Sequence, residues 1–504
     1  MEPYTYVALG LYLLVMLGIG LYSFKQSSTD VEGYMLGGRS LSPKVTALSA
    51  GASDMSGWML MGLPGAMYVS GISSAWIAVG LVIGAYLNYL WVAPRLRVYT
   101  ELAKNALTIP DYFANRFNDS SHSLRLISSV VIVIFFTLYT SSGVVAGGKL
   151  FESSFGLSYE MGLYVTAGVV VAYTLLGGFM AVSMTDFVQG CIMFVSLVLV
   201  PVVVLFDLGG FSGAASHLAT YDADFLNLFI DASTGQAMSV IGIISLLSWG
   251  LGYFGQPHII VRFMAIRSVT DIKTARKIGI SWMVVSIIGS LATGILGLAY
   301  VTKTQGALQD PETIFIYLSQ ILFHPLISGF LLGAILAAIM STISSQLLVT
   351  SSSLTGDFYQ AFFRKNASQK ELITAGRISV ALVALVSIYL AYDRDSTILN
   401  LVSNAWAGFG AAFGPVVLIS LFWKKMTRLS AILGMLSGAI TVLIWIYAPL
   451  TINGQALSNW LYEIVPGFIV CSLTIVTFSL LGKQDDQLVS DTFDKVQHTL
   501  KQLD

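Results

Sequence analysis

From residue 6 to residue 481 the chain is a succession of apolar runs, and no polar stretch between them is long enough to build a domain of its own. A run of about 20 apolar residues matches the hydrocarbon thickness of a bilayer when helical. Lipid offers the backbone no hydrogen-bond partner, so a spanning run must satisfy itself as a helix. The pattern therefore predicts an all-α polytopic membrane protein. Counting at that length gives about 13 transmembrane helices, at 6–24, 45–69, 74–94, 124–148, 159–179, 185–206, 237–257, 278–302, 326–352, 371–391, 397–423, 429–449 and 462–481. Only 11% of the 504 residues are charged, less than half the roughly 25% of soluble domains.

The basic residues orient these spans. With the N-terminus outside, only Lys149, Lys303 and Arg394 fall on the outer side, and the other 23 of the 26 Lys and Arg residues fall on the inner side, Arg125 and Arg377 among them toward the inner ends of their spans. That asymmetry is the positive-inside rule, and it makes the C-terminus cytoplasmic. The first run lacks a preceding basic stretch and a following cleavage site, so it reads as a retained span. Residues 1–482 read as a single transmembrane domain, and 483–504 as a short cytoplasmic tail too small for a core. The acidic loop 207–236 reads as a solvated connector, and 313–325 as a hairpin on the outer surface. A net charge of -1 speaks against nucleic acid as a partner. Two cysteines, Cys191 and Cys471, both in apolar runs, exclude a disulfide framework. No nucleophile–base pair or metal-ligand cluster emerges, which speaks against an enzyme.

Three spans break the apolar pattern. The second reads Ala50-Gly51-Ala52-Ser53-Asp54-Met55-Ser56-Gly57-Trp58, with Asp54 the one acid placed well inside a span. A carboxylate at depth is costly unless it lines a site or caps freed backbone amides. The seventh carries Trp249-Gly250-Leu251-Gly252-Tyr253-Phe254-Gly255-Gln256-Pro257. Its G-x-G-x-x-G is no dinucleotide fingerprint, because that needs a strand–helix unit. Trp249 and Tyr253 stand i, i+4, the spacing of one α-helical face, for packing or for ligand contact. The ninth carries a hydroxyl stripe at Ser341, Thr342, Ser344 and Ser345. The two interrupted spans open two sets of five, about 45–206 and 237–423, whose odd length gives them opposite orientation. Paired interruptions at corresponding positions point to a central site in an inverted-repeat transporter.

The blocks Gly33–Leu41, Thr46–Pro64, Trp249–His258, Ala334–Ser345 and Trp406–Pro415 resemble the solute:sodium symporter family, most nearly its bacterial proline carriers. The resemblance implies a LeuT-like fold of inverted five-helix repeats with extra N- and C-terminal helices. It implies a secondary transporter of a bacterial inner membrane that couples sodium entry to L-proline uptake, with no obligate protein partner evident and the lipid bilayer as its surroundings. Carried over residue by residue, it implies sodium ligation by the carbonyls of Ala52, Met55 and Ala338 and the hydroxyls of Ser341 and Thr342. Ser56, Gly57, Trp58, Tyr139, Trp249, Tyr253 and Pro257 correspond to the proline pocket, and Asp54 to a residue needed for sodium-dependent transport. Asp186 resembles a position on the sodium route, a helix-start cap being the other reading. Arg39 matches a family position on the inner loop. Sugars, pantothenate, sialic acid or short carboxylates are alternative solutes on such a scaffold, and a transporter-like sensor module is a rival from another class.

Overall fold

The computed structural model describes residues 3–26, 31–176, 178–393, 396–483 and 486–503. Arg394, expected outside, lies outside the described residues. The chain is helical almost throughout. It opens with α1 (Pro3–Gln26), α2 (Val31–Leu36) and α3 (Pro43–Asp54). After a break at Met55 and Ser56, a π turn over Trp58–Gly62 leads into α4 (Leu63–Ser70). A second π turn, Asn88–Val92, joins α5 (Ala75–Leu87) to α6 (Ala93–Leu102). Then come α7 (Ile109–Arg116), α8 (Ser123–Phe155), α9 (Tyr159–Leu176), α10 (Phe179–Asp207) and α11 (Gly210–Tyr221). Helix α12 (Val240–Leu247) tightens into a 3-10 helix, Ser248–Gly255, and resumes as α13 (Pro257–Ala265). It is followed by α14 (Ile272–Thr304), α15 (Ile314–Leu322) and α16 (Pro325–Ser352), which continues as a π helix over Ser353–Phe363. The last helices are α17 (Gln369–Leu390), α18 (Ile398–Phe422), α19 (Arg428–Tyr447), α20 (Leu457–Trp460), α21 (Ile464–Leu481) and α22 (Gln487–Leu503).

Hydroxyls set many of the starts. Ser42, Ser239, Ser368 and Thr397 each accept from the third helical amide, and Thr427 with Ser430 forms a reciprocal box. Each such cap satisfies an amide that the first turn leaves unpaired. Among the described residues ten helical stretches are long and apolar enough to cross a membrane, so this is a multi-pass helical membrane protein. The most apolar windows of α16 and α18 are 83% buried, against 28% in α1 and α21; the first pair forms the centre and the second the lipid-facing rim.

Several expectations need correction. Residues 313–325 hold not a surface hairpin but α15, whose Ile314, Phe315, Ile316 and Leu318 are buried; the segment is apolar on an inward stripe. The loop 207–236 is no solvated connector. It folds into α11 and a two-stranded hairpin, β1 (Ile230–Asp231) with β2 (Gln236–Ala237), and buries Phe225. Ile72 N–H donates to the Phe225 carbonyl at 3.1 Å, and Ala232 N–H to Ser70 at 3.2 Å, fixing it over the end of α4. The tail does not need its own core, because α22 adds Phe493 and Val496 to the existing one and buries Val489 as well. Its Asp494 pairs with Lys424 at 2.6 Å.

Asp54 is not the one acid at depth, since Asp186 and Asp357 are buried too. Nor is the bundle free of basic residues: Arg262 lies in α13, fully buried. The expected span stopped at residue 257, where Pro257 begins the second half of the broken helix instead of ending it.

Candidate functional site

Helix α3 ends because Met55 leaves the helical region, at φ -80° and ψ 77°. The freed Asp54 carbonyl is then claimed three times: by Ser56 N–H at 2.9 Å, Trp58 Nε1–H at 3.0 Å and the Tyr139 hydroxyl at 3.2 Å. These contacts hold the break open without exposing an unpaired acceptor. Gly57 and Trp58 begin the next helical segment. The Asp54 side chain points to the other interrupted helix, and its Oδ2 accepts from the Tyr253 hydroxyl at 2.5 Å. Its Oδ1 is buried with no hydrogen-bond partner among the described residues.

Trp249 and Tyr253 do not share a face. Ser248–Gly255 is a 3-10 helix, whose three residues per turn set i and i+4 about 120° apart. Trp249 stacks on Tyr462 at 5.4 Å between centroids, whereas Tyr253 meets Asp54 and stands edge-on to Trp406 at 5.0 Å. Trp406 Nε1–H donates to the Trp249 carbonyl at 2.7 Å. Gly252 permits that approach: a Cβ there would lie 1.9 Å from Trp406 Nε1. Gln256, extended at φ -79° and ψ 107°, breaks the helix, and Pro257 opens α13 at the position where its missing N–H costs nothing.

A cavity of about 30 Å³ lies between Asp54, Met55 and Tyr253 on one side and Asn88, Tyr89 and Phe263 on the other. A water needs roughly 10–15 Å³ by this measure, so the space suits water and not an organic solute. The Asn88 amide and the Tyr89 hydroxyl line it, buried and without a hydrogen-bond partner among the described residues. Sequence reasoning missed both, although an Asn inside the apolar run 74–94 was a visible signal.

Behind the break, oxygens converge. The Ser341 hydroxyl donates to the Ala52 carbonyl at 2.8 Å and lies 3.2 Å from that of Ala338, and Thr342 Oγ1 reaches Ala52 at 3.4 Å. Ala52, Ala338, Ser341 and Thr342 are thus brought together. No hydrogen bond among the described residues joins Met55 to them.

One level further along, Asp186 Oδ2 accepts from Ser49 at 2.8 Å and from Arg262 at 3.0 Å. Arg262 also donates to Ser49, Ser345 and the His258 carbonyl. The cluster ties α3, α10, α13 and α16 together with both ions fully buried. Asp186 lies well inside α10 (Phe179–Asp207), so the helix-start cap reading fails. Ser49 and Arg262 were not anticipated, because each sits at an edge of its expected span or beyond it.

Arg39 stands apart from the break. Its guanidinium donates to the carbonyls of Met264 at 2.7 Å and Ala106 at 2.8 Å, to Asn105 at 3.0 Å and to Thr100 at 3.2 Å. Burial, with Arg97 nearby, lowers its pKa to about 10. Beside it Leu41 N–H donates to Ala265 at 3.2 Å and Arg267 N–H to Leu41 at 3.0 Å. The segment before α3 is thereby fastened to the end of α13.

Residues 34–438 match the family described as the Sodium:solute symporter family. The chain belongs to the sodium:solute symporter family. Among its relatives, the osmoregulated proline transporter OpuE of Bacillus subtilis is 55% identical over 495 residues, 98% of each chain. The high-affinity proline transporter PutP of the same organism is 56% identical over 487 residues, 97% of this chain and all of that one. A sodium/proline symporter of Staphylococcus aureus is 53% identical over 503 residues, 99% and 96% of the two chains. A Na+-coupled sialic acid symporter, solved substrate-bound and outward-open, superposes with a TM-score of 0.79 at 20% identity, covering 96% of this chain and 99% of that one. Mhp1, a nucleobase-cation-symport-1 transporter in a closed conformation, superposes at 0.57 with 10% identity over 91% and 97% of the chains. This sodium:solute symporter therefore has the LeuT fold, and it is a transporter and not an enzyme.

Proposed function

We propose that this symporter couples sodium entry to uptake of L-proline by alternating access in a bacterial cell membrane. The observation that carries the reading is the joining of the two interrupted helices, Asp54 to Tyr253, beside a cluster of oxygen donors. Relatives named as proline transporters, at 53% to 56% identity, support the choice of solute.

Sodium is a hard cation that takes oxygen ligands. In this reading the carbonyls of Ala52, Met55 and Ala338 and the hydroxyls of Ser341 and Thr342 hold it. The hydroxyl-to-carbonyl hydrogen bonds at Ala52 are the contacts the ion replaces. Ser56, Gly57, Trp58, Tyr139, Trp249, Tyr253 and Pro257 form the proline pocket. The carboxylate of proline faces the amides of the helix starting near Gly57, where the helix dipole favours an anion. Its ring and secondary ammonium suit the aromatic faces. Proline enters only when Tyr253 parts from Asp54, because the cavity between them is too small. Asp54 links ion and solute, the Asp186–Arg262 pair closes the inner route, and Arg39 secures the inner loop.

The architecture in this reading is one transporter domain, 1–482, of thirteen spans with a tail at 483–504. An extra first helix precedes inverted repeats at about 45–206 and 237–423, and two helices follow. The N-terminus is outside and the C-terminus cytoplasmic. One sodium moving through 150 mV supplies about 3.5 kcal/mol, and a tenfold sodium gradient about 1.4 kcal/mol. Together they sustain an accumulation of roughly a few thousandfold, so one ion per proline is sufficient.

The test is uptake of labelled proline into proteoliposomes holding the purified protein. Uptake should require an inward sodium gradient, and unlabelled proline should compete where sialic acid and glucose do not. Proline uptake indifferent to sodium, or none at all, would refute the reading.

A further inference from the structure

We infer that an anionic phospholipid binds lengthwise in the groove between α8, α17 and α19, with its phosphate against Lys370. The groove measures about 1120 Å³, beyond the roughly 300–1,000 Å³ of compact-ligand pockets. Its walls are almost wholly apolar, with Ile134, Leu382 and Val386 among them. It follows α17 from Ser368 to Leu390, which at 1.5 Å per residue is about 33 Å. That is the thickness of the whole hydrocarbon layer, so the groove runs along acyl chains through both leaflets, and one phospholipid occupies the half next to Lys370.

Its two ends differ in charge, and this selects the occupant. Tyr447 closes one end without a formal charge. At the other, Lys370 lines the mouth, and Lys365 stands in the turn leading to it. Glu371 lies there too, but Arg364 engages it at 3.2 Å and Tyr359 donates to it at 2.8 Å. Among the described residues no carboxylate pairs with Lys365 or Lys370, and both are exposed. The mouth therefore keeps about two uncompensated positive charges at the depth of headgroups, where basic residues attract acidic lipid. A second copy of the chain would bring an apolar helix to the walls but, along this charge pattern, no anion to the mouth.

The test uses the full chain reconstituted in equal amounts of phosphatidylglycerol and phosphatidylcholine, then examined by native mass spectrometry. The wild type should retain phosphatidylglycerol several-fold over phosphatidylcholine. The exposed change K365Q/K370Q should abolish that preference, and Ser379→Trp, which fills the groove, should lower retention of both lipids. Equal retention of the two lipids by the wild type, or an undiminished preference in K365Q/K370Q, would overturn the inference. So would a wild-type dimer that Ser379→Trp converts to monomers, which would make the occupant a second copy. The lysine variant decides the matter alone if Ser379→Trp does not assemble.

Discussion

Tyr253 and Asp54, on different interrupted helices, are joined by a hydrogen bond of 2.5 Å that ties the end of α3 to the 3-10 segment Ser248–Gly255. The Asp54 carbonyl at the same time holds Trp58 and Tyr139. One residue thus serves the break with its backbone and the opposite helix with its side chain. A solute that separates Tyr253 from Asp54 acts on both.

Asp54→Asn should nearly abolish sodium-driven uptake while leaving insertion intact. The amide is nearly isosteric and keeps the backbone contacts, so the helix break survives and only the charge is lost. Uptake and surface expression measured together check this. Wild-type transport would reduce Asp54 to a cap of the break.

Tyr253→Ala and Trp249→Ala should differ in kind. Tyr253 faces Asp54, and its loss should raise the apparent KM for proline severalfold. Trp249 leans on Tyr462, so Trp249→Ala and Tyr462→Ala should share one phenotype. Competition by proline analogues across the three variants is the measurement. Identical profiles for Tyr253→Ala and Trp249→Ala would restore a common face.

The Asp186–Arg262 pair should show the asymmetry of buried ions. Removing one partner strands the other in the interior and costs about 3–5 kcal/mol. Asp186→Asn or Arg262→Gln should therefore lower the melting temperature of the purified protein markedly, and the double variant should recover part of the loss. Additive losses would mean that the two ions do not stabilise each other.

Thr342→Ala should weaken sodium, and Thr342→Ser should not, because serine keeps the oxygen. Weak ion binding mimics weak proline binding only while sodium is scarce. Proline isotherms for Thr342→Ala should therefore converge on wild type at saturating sodium. Equal damage from Ser and Ala would assign the effect to the methyl group's packing instead.

Much of this was legible in the residues themselves. Asp54 and the glycine-rich stretch around Trp249 announced themselves because polar and helix-breaking residues in an apolar run are expensive and therefore conspicuous. Arg262 did not, because hydropathy ended its span at the proline that starts α13, and the charge was counted with the inner loop. The Trp249–Tyr253 spacing misled because it assumes 3.6 residues per turn, and the glycines allow the tighter helix seen here. Asn88 stood out as an amide in an apolar run, but the π turn that swings it and Tyr89 off their regular face leaves no mark in the composition. The tail is too short for a core of its own, yet the apolar residues Phe493 and Val496 on α22 are enough when a finished surface waits for them.

If ion and solute move together, reversing the drive exposes the coupling. Proteoliposomes with equal sodium on both sides and no membrane potential are given an inward proline gradient, and radioactive sodium is followed. Proline alone should drive sodium inward, transiently above equilibrium, and should fail to do so in Thr342→Ala at low sodium. Proline entry with no movement of sodium would contradict it.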